Sequence, residues 1–266
     1  MSAPLGASRA ENADDAPPPV CILAGGLGTR LGDRVRDVPK PLLEVAGEPF
    51  IFHQLRLLAS HGVGEVVLCV GYLGERIELR VGSERFGVQI AYSYDGPGLD
   101  GTLGAIRRAG DRLGCRFLVL YGDTYLPIDY SAVARAWVQS GRPALMTVLR
   151  NEGRWDASNA IFEGGRVTAY DKRSPSPAMR WIDYGLGGLT SESLELVDAD
   201  VRELSDLYHE LARRGELFGV EADERFYEIG TPEALAGTDM YLRTASRIPK
   251  GAPPAKPAGR SNGVEP

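Results

Sequence analysis

Arg30 and Lys40 belong to the most chemically suggestive stretch of this chain. It runs Leu23-Ala24-Gly25-Gly26-Leu27-Gly28-Thr29-Arg30-Leu31-Gly32 and is followed by Pro39-Lys40-Pro41-Leu42-Leu43. The stretch follows the short apolar run 20–24, which reads as a buried strand. Glycines at 25, 26 and 28 leave the backbone free to turn with its N–H groups pointing inward, a concavity suited to phosphate oxygens. Arg30 and Lys40 would supply fixed positive charge beside it. On its own, such a turn reads equally well as a strand-to-helix connection with two solvated cations.

A carboxylate at the end of a strand is the next candidate. Tyr121-Gly122-Asp123 follows the apolar run Arg116-Phe117-Leu118-Val119-Leu120. Asp123 could approach a bound phosphate only through a divalent cation, because direct contact would be repulsive. The alternative is an Asx-type turn with no chemistry. Glu228, in Phe226-Tyr227-Glu228-Ile229-Gly230-Thr231-Pro232, sits at another strand end, where Thr231 and Pro232 are well formed to start a helix.

Two common phosphate motifs fail on spacing. The place of a third glycine in G-x-G-x-x-G holds Leu31, and no Gly-Lys-Ser or Gly-Lys-Thr follows the loop. The string L-A-G-G-x-G-T-R-L with P-K-P-L-L resembles instead the signature of the sugar-1-phosphate nucleotidylyltransferases, and the resemblance extends over about residues 20–243. It implies an α/β, Rossmann-like nucleotide-diphospho-sugar transferase fold: a mostly parallel central sheet with a small antiparallel sugar-binding lobe. It also implies transfer of a nucleotidyl group from a nucleoside triphosphate to a sugar 1-phosphate.

The residue roles follow from that resemblance. Ala24, Gly25, Gly26, Gly28, Thr29 and Arg30 would hold the triphosphate, with Arg30 and Lys40 catalytic. Asp123 and Glu228 would hold Mg²⁺, Glu228 standing where the family usually has Asp. Gly101-Thr102-Leu103-Gly104-Ala105-Ile106 is similar to a G-T-G-G-A-I turn near the base, with Leu103 in place of a glycine and Asp100 as an extra residue before it. Asn159, Lys172, Asp183, Tyr184 and Gly185 would form the sugar-phosphate site. V-P-K-P and E-I-G-T-P are most similar to the heptose-1-phosphate guanylyltransferase group, which implies GTP as donor. Two other readings stand beside this one. The chain could be a catalytically weakened, nucleotide-sugar-binding regulatory protein. It could also be a cytidylyltransferase for a phosphate such as phosphocholine, using Trp181 and Tyr184 against the ammonium group.

Composition is compatible with an enzyme of this class. The 266 residues are 43% hydrophobic and 25% charged, with a net charge of −6. That is globular, and too acidic for nucleic acid as a general partner. The early segment lacks the pattern of a signal peptide, and no apolar run is long enough to span a membrane. The partners expected are therefore small molecules or another copy of the chain, in the cytoplasm. Cys21, Cys69 and Cys115 lack metal-site spacing and read as buried free thiols. The three histidines share no ligand spacing.

The positioning elements follow from alternation. Residues 65–70 and 116–121 read as buried strands. Residues 49–60, 74–84, 102–113 and 131–140 read as helices between strands of a largely parallel sheet. From about residue 157, short strands such as 159–162 and 165–170 suggest an antiparallel lobe closing over the sheet's carboxyl edge. The Pro-, Ala- and Gly-rich ends, 1–19 and 248–266, read as disordered tails around a 20–247 domain.

Overall fold

The computed structural model describes residues 16–26, 28, 30–31, 37–96 and 101–245. Leu27, Thr29, Asp100 and most of the two anticipated tails lie outside the described residues.

The first half alternates as its sequence suggests. β1 (Val20–Leu23) leads through a 3-10 turn at Lys40–Leu42 to the ribbon β2 (Glu44–Val45) and β3 (Glu48–Pro49). Then come α1 (Phe50–Ser60), β4 (Glu65–Val70), α2 (Gly74–Val81), β5 (Glu84–Arg85), β6 (Val88–Tyr94) and α3 (Gly101–Leu113). β7 (Arg116–Tyr121), β8 (Thr124–Tyr125) and α4 (Tyr130–Ser140) follow. The second half holds β9 (Ala144–Arg150), β10 (Ala160–Glu163), β11 (Arg166–Tyr170), β12 (Trp181–Thr190), α5 (Leu204–Arg213), β13 (Leu217–Ala222), β14 (Tyr227–Glu228) and α6 (Pro232–Ala245).

Ten strands form one sheet in the order β10-β11-β13-β9-β12-β7-β1-β4-β6-β5. The β6-β4-β1-β7 block is parallel, as its uninterrupted apolar runs require. β12 pairs antiparallel with both β7 and β9. The antiparallel strands after residue 157 are present, but β10 and β11 extend this same sheet instead of forming a separate one.

Period-two alternation divides the core. Val20, Ile22, Leu118 and Leu120 face one side, under α1 and α4, while Cys21, Val67 and Val119 face the other, under α3 and α5. Cys21 and Cys69 are buried with their sulfurs 3.4 Å apart. Cys115 departs from the expected burial: it is exposed, in the turn after Gly114 that precedes β7. α6 begins at Pro232 as anticipated, and Thr231 Oγ1 accepts from Ala234 N at 3.2 Å.

Candidate functional site

A cavity of about 510 Å³ opens beyond the carboxyl ends of β1, β4 and β7, where open α/β sheets place ligands. The Gly-rich segment forms its floor. Ala24 N donates to Cys69 O at 2.8 Å and Gly122 N donates to Leu23 O at 2.9 Å, so both loops leave the sheet in register. Close approach requires glycine at 122, where a Cβ would lie 2.8 Å from Leu23 O; a Cβ on Gly25 would lie 2.6 Å from the Asp95 side chain at Oδ2 and 3.2 Å from Gly71 N. Leu23 and Ala24 pass directly under Gly122 as a result, bringing the Gly-rich loop against the segment that carries Asp123.

Arg30, Lys40, Asp123 and Glu228 come from four separate segments and converge at one end of the cavity. Pro39 and Pro41 hold Lys40 in its 3-10 turn, and its Nζ lies 2.5 Å from Asp123 Oδ2. β14 pairs with β8, placing Glu228 opposite Thr124, and Ile229 N donates to Asp123 O at 3.0 Å. The two carboxylates separated by about a hundred residues are thus neighbours across a ribbon. Around Gly230, the position a Cβ would take is 3.6 Å from Lys40 Nζ, 3.7 Å from Glu228 Oε2 and 3.9 Å from Arg30 Nη2.

Charge is concentrated there. Burial raises the Glu228 carboxyl above its ordinary range and Asp123 raises it further, while Lys40 and Arg30 oppose the shift. Asp156, on the loop between β9 and β10, raises it too. Among the described residues, no three His, Cys, Asp or Glu side chains form a metal-holding group. Two hard carboxylates are nevertheless what Mg²⁺ takes from a protein when substrate phosphates and water complete its shell. The donor set fits that ion, and the strain on Glu228 is the kind that a cation relieves.

At the other side of the cavity, Gly101 and Thr102 open α3. Thr102 Oγ1 accepts from Leu204 N at 2.8 Å and donates to Glu203 Oε2 at 3.1 Å. Glu203 and Asp95 both line the cavity and were not singled out by spacing. Asp95 directly follows β6, so the strand-end logic that marks Asp123 would have marked it. Glu203 has no comparable sequence signal. It is placed by Arg107, whose guanidinium donates to the carbonyls of Leu194, Val197, Asp198, Ala199 and Val201 and so fixes the loop before α5.

The anticipated acceptor residues are only partly brought together. Asn159 Oδ1 accepts from Asp183 N at 2.9 Å, and Asp183 Oδ1 accepts from Gly185 N at 3.0 Å. Burial raises the Asp183 carboxyl, with Lys172 opposing it, so the exposed Lys172 lies within electrostatic reach. Tyr184 is a correction. Alternation along β12 turns it to the opposite face, where it is 1% exposed and meets Phe226 edge-on at 6.2 Å. Trp181 stays on the Asp183 face, packing edge-on against Phe162 at 5.9 Å. The two aromatics therefore cannot enclose one ammonium group, which removes the geometry behind the phosphocholine reading.

Comparison with known proteins identifies the family and the fold. The family model described as MobA-like NTP transferase domain matches residues 20–208. The mannose-1-phosphate guanylyltransferase catalytic subunit beta of Danio rerio is 28% identical over 232 residues, covering 84% of this chain and 64% of that protein. The mannose-1-phosphate guanyltransferase of Yarrowia lipolytica is 28% identical over 236 residues, covering 85% and 64%. The chain thus spans about 64% of the length of these curated relatives. A putative glucose-1-phosphate thymidylyltransferase from Bacillus anthracis superposes with a TM-score of 0.75 at 21% identity, covering 85% of this chain and 95% of that one. HddC from Yersinia pseudotuberculosis, complexed with GMP-PN, gives 0.67 at 24% identity, covering 84% and 99%. These likenesses establish the Rossmann-like nucleotide-sugar transferase fold.

Proposed function

The chain belongs to the MobA-like NTP transferase family, among the sugar-1-phosphate nucleotidylyltransferases, and on that premise we propose that it transfers a nucleotidyl group from a nucleoside triphosphate to a sugar 1-phosphate. The products are an NDP-sugar and pyrophosphate. The observation that carries the reading is the convergence of Arg30, Lys40, Asp123 and Glu228 beside the Gly-rich loop.

A sugar 1-phosphate is already an anionic nucleophile at neutral pH, so positioning and electrostatics must supply most of the acceleration. One acceptor phosphate oxygen bonds to the α-phosphorus as the bond to the bridging oxygen of the departing pyrophosphate breaks. Backbone N–H groups of Gly25, Gly26 and Gly28 cradle the triphosphate beyond Ala24, whose own N–H is held by Cys69 O, with Thr29 belonging to the same loop in sequence. Arg30 neutralises the β/γ end and Lys40 draws the reacting phosphates together. Asp123 and Glu228 would hold Mg²⁺, which when bound neutralises phosphate charge. Gly101 and Thr102 form the wall beside the base. Lys172 docks the acceptor phosphate, and Asp183 accepts hydrogen bonds from acceptor hydroxyls, its place on β12 held by Asn159 and Gly185.

For the donor we propose GTP, and for the acceptor a mannose- or heptose-type sugar 1-phosphate. The guanylyltransferase names of the relatives, the GMP-PN complex of HddC and the V-P-K-P and E-I-G-T-P phrases support this choice. The experiment is a pyrophosphate-release assay pairing GTP, CTP, UTP, ATP and dTTP in turn with mannose, heptose and glucose 1-phosphates, with Mg²⁺. Highest kcat/KM with GTP and a mannose- or heptose-type acceptor is the expected result. Absence of turnover with every pair would overturn the transfer reading, and preference for another base would overturn GTP alone.

A further inference from the structure

α1 packs an apolar face on the sheet through Ile51, Leu55 and Leu58, all buried. One polar side chain is set among them. Gln54 is 2% exposed, and its Nε2 donates to Tyr121 O at 2.9 Å and to Thr124 O at 2.8 Å. Both partners are carbonyl oxygens, which only accept, so the amide nitrogen must face them and the amide oxygen must point away. That oxygen is buried and has no hydrogen-bond partner among the described residues. A buried acceptor left unpaired is costly, and a hydrocarbon side chain on this helix would avoid the cost. Gln54 therefore keeps an unpaired oxygen in order to present two donors.

The two carbonyls belong to the turn that carries Asp123. Tyr121 ends β7 and Thr124 opens β8, with Gly122 and Asp123 as the whole connection between them. Other segments fasten the middle of this turn: Gly122 N donates to Leu23 O at 2.9 Å, and Ile229 N donates to Asp123 O at 3.0 Å. Gln54 ties its first residue to its last, so the backbone is held at all four positions. The Asp123 carboxylate is presented from that fixed base, with Oδ2 2.5 Å from Lys40 Nζ and Oδ1 accepting from Thr124 Oγ1 at 3.2 Å. His53, one position earlier on α1, donates from Nε2 to Val45 O at 2.7 Å. The same helix thus also holds the ribbon that follows Lys40.

We propose that Gln54 is a positioning residue for the metal-holding carboxylate: it sets the turn at 121–124 so that Asp123 and Glu228 can share Mg²⁺, and it touches no substrate itself. Gln54 has this role only if Asp123 and Glu228 hold the ion, as the proposed function has it. Partners behind a ligating carboxylate fix its orientation, and removing one typically costs roughly 10–100-fold in metal affinity or activity. Gln54 acts on the backbone of the ligand and not on its oxygens, which places the expected loss at the lower end of that range.

The test is the dependence of the melting temperature of the full chain on free Mg²⁺, with and without GTP, read beside Mg²⁺ activation of pyrophosphate release. Gln54→Met keeps the length of the side chain and removes both donors. Its Mg²⁺ midpoint in melting should rise about tenfold. Saturating Mg²⁺ should restore most of the lost turnover, with KM for the acceptor within about twofold of the parent. Ile51→Val, three residues earlier on α1, lowers stability by removing a buried methylene without touching the turn, and should leave the midpoint unchanged. Gln54→Glu keeps the volume and can donate to at most one of the two carbonyls; it is the second variant should Gln54→Met fail to fold, with a midpoint raised at least about threefold. A parent whose melting Mg²⁺ does not shift, with GTP or without it, would overturn the metal reading and the role of Gln54 with it. A responsive parent beside folded Gln54 variants with midpoints within about twofold of its own would overturn the positioning role alone. So would an Ile51→Val midpoint raised as far as that of Gln54→Met, because the effect would then follow stability.

Discussion

Replacing Lys40 with Met keeps the length of the stem and removes the ammonium that sits 2.5 Å from Asp123 Oδ2. At that separation and an effective dielectric of about 20, the direct attraction is roughly 7 kcal/mol before desolvation is subtracted. The Lys40 side chain is 11% exposed and that of Asp123 30%, so water screens one end of the pair. The net loss of stability should therefore be about 1–2 kcal/mol, between surface and buried ion pairs, or roughly 2–8 °C in Tm for a chain of this size. Losing a preorganised charge at the reacting phosphates should cost about 2.7–4 kcal/mol in the barrier, a fall of roughly 10²–10³ in turnover. The catalytic effect exceeds the structural one, and a domain holding about 5–15 kcal/mol in reserve stays folded. The assay is pyrophosphate release at saturating substrate, run beside melting curves with and without Mg²⁺. If the ammonium keeps Asp123 and Glu228 tolerable together, Mg²⁺ should restore part of the lost Tm but little of the turnover. A folded Lys40→Met protein with turnover within about threefold of the parent would refute the placement of Lys40 at the reacting phosphates.

The Glu228 carboxyl is raised chiefly by burial and next by Asp123, so the folded state holds its proton more tightly than the unfolded state does. Its contribution is then present below the unfolded pKa and lost as pH rises through the folded one. Metal-free Glu228→Gln should melt at or above the parent at about pH 8 and lose that advantage near pH 4; a lower Tm at pH 8 would contradict this account. Gly122→Ala forces a Cβ to within 2.8 Å of Leu23 O and should destabilise by about 1–3 kcal/mol. Gly110→Ala, in α3 with open space around it, should raise stability by about 0.5–1 kcal/mol; equal Tm values for the two would refute the close-approach argument. Thr102→Ala removes the acceptor for Leu204 N and should cost about 1 kcal/mol, with a higher KM for nucleotide as Glu203 loses its tether. An unchanged Tm would show the contact to be unimportant.

The parts of this molecule legible in its sequence are those whose cause is local. A Gly-rich turn after an apolar run, a Thr-Pro helix start at 231–232 and the buried parallel strands 65–70 and 116–121 each depend on neighbours in the chain. The meeting of Glu228 with Asp123 depends on β14 finding β8, a two-residue ribbon too short to carry a hydrophobic pattern. It was accessible only through likeness to a family. Tyr184 shows a different kind of failure. Trp181, Asp183 and Tyr184 are adjacent in sequence and look like one sugar-binding cluster, yet alternation along a strand sends Tyr184 to the far face. The strand itself is hard to see, because Gly185, Gly187 and Gly188 break the β-branched pattern that usually announces one.

Gly187 and Gly188 are explained by partners remote in the chain, whereas Gly185 has a φ of +109°. A Cβ on Gly187 would lie 1.8 Å from Tyr208 Oη, and one on Gly188 would lie 2.7 Å from the Trp137 ring. Tyr208 comes from α5 on one face of the sheet and Trp137 from α4 on the other. β12 is glycine-rich because two helices press large rings onto it from opposite sides, a demand set by the completed fold. α5 also follows the loop carrying Glu203, which Arg107 and Thr102 hold against the cavity from α3. The packing that conceals β12 in the sequence therefore also delivers a cavity carboxylate that no local pattern marks.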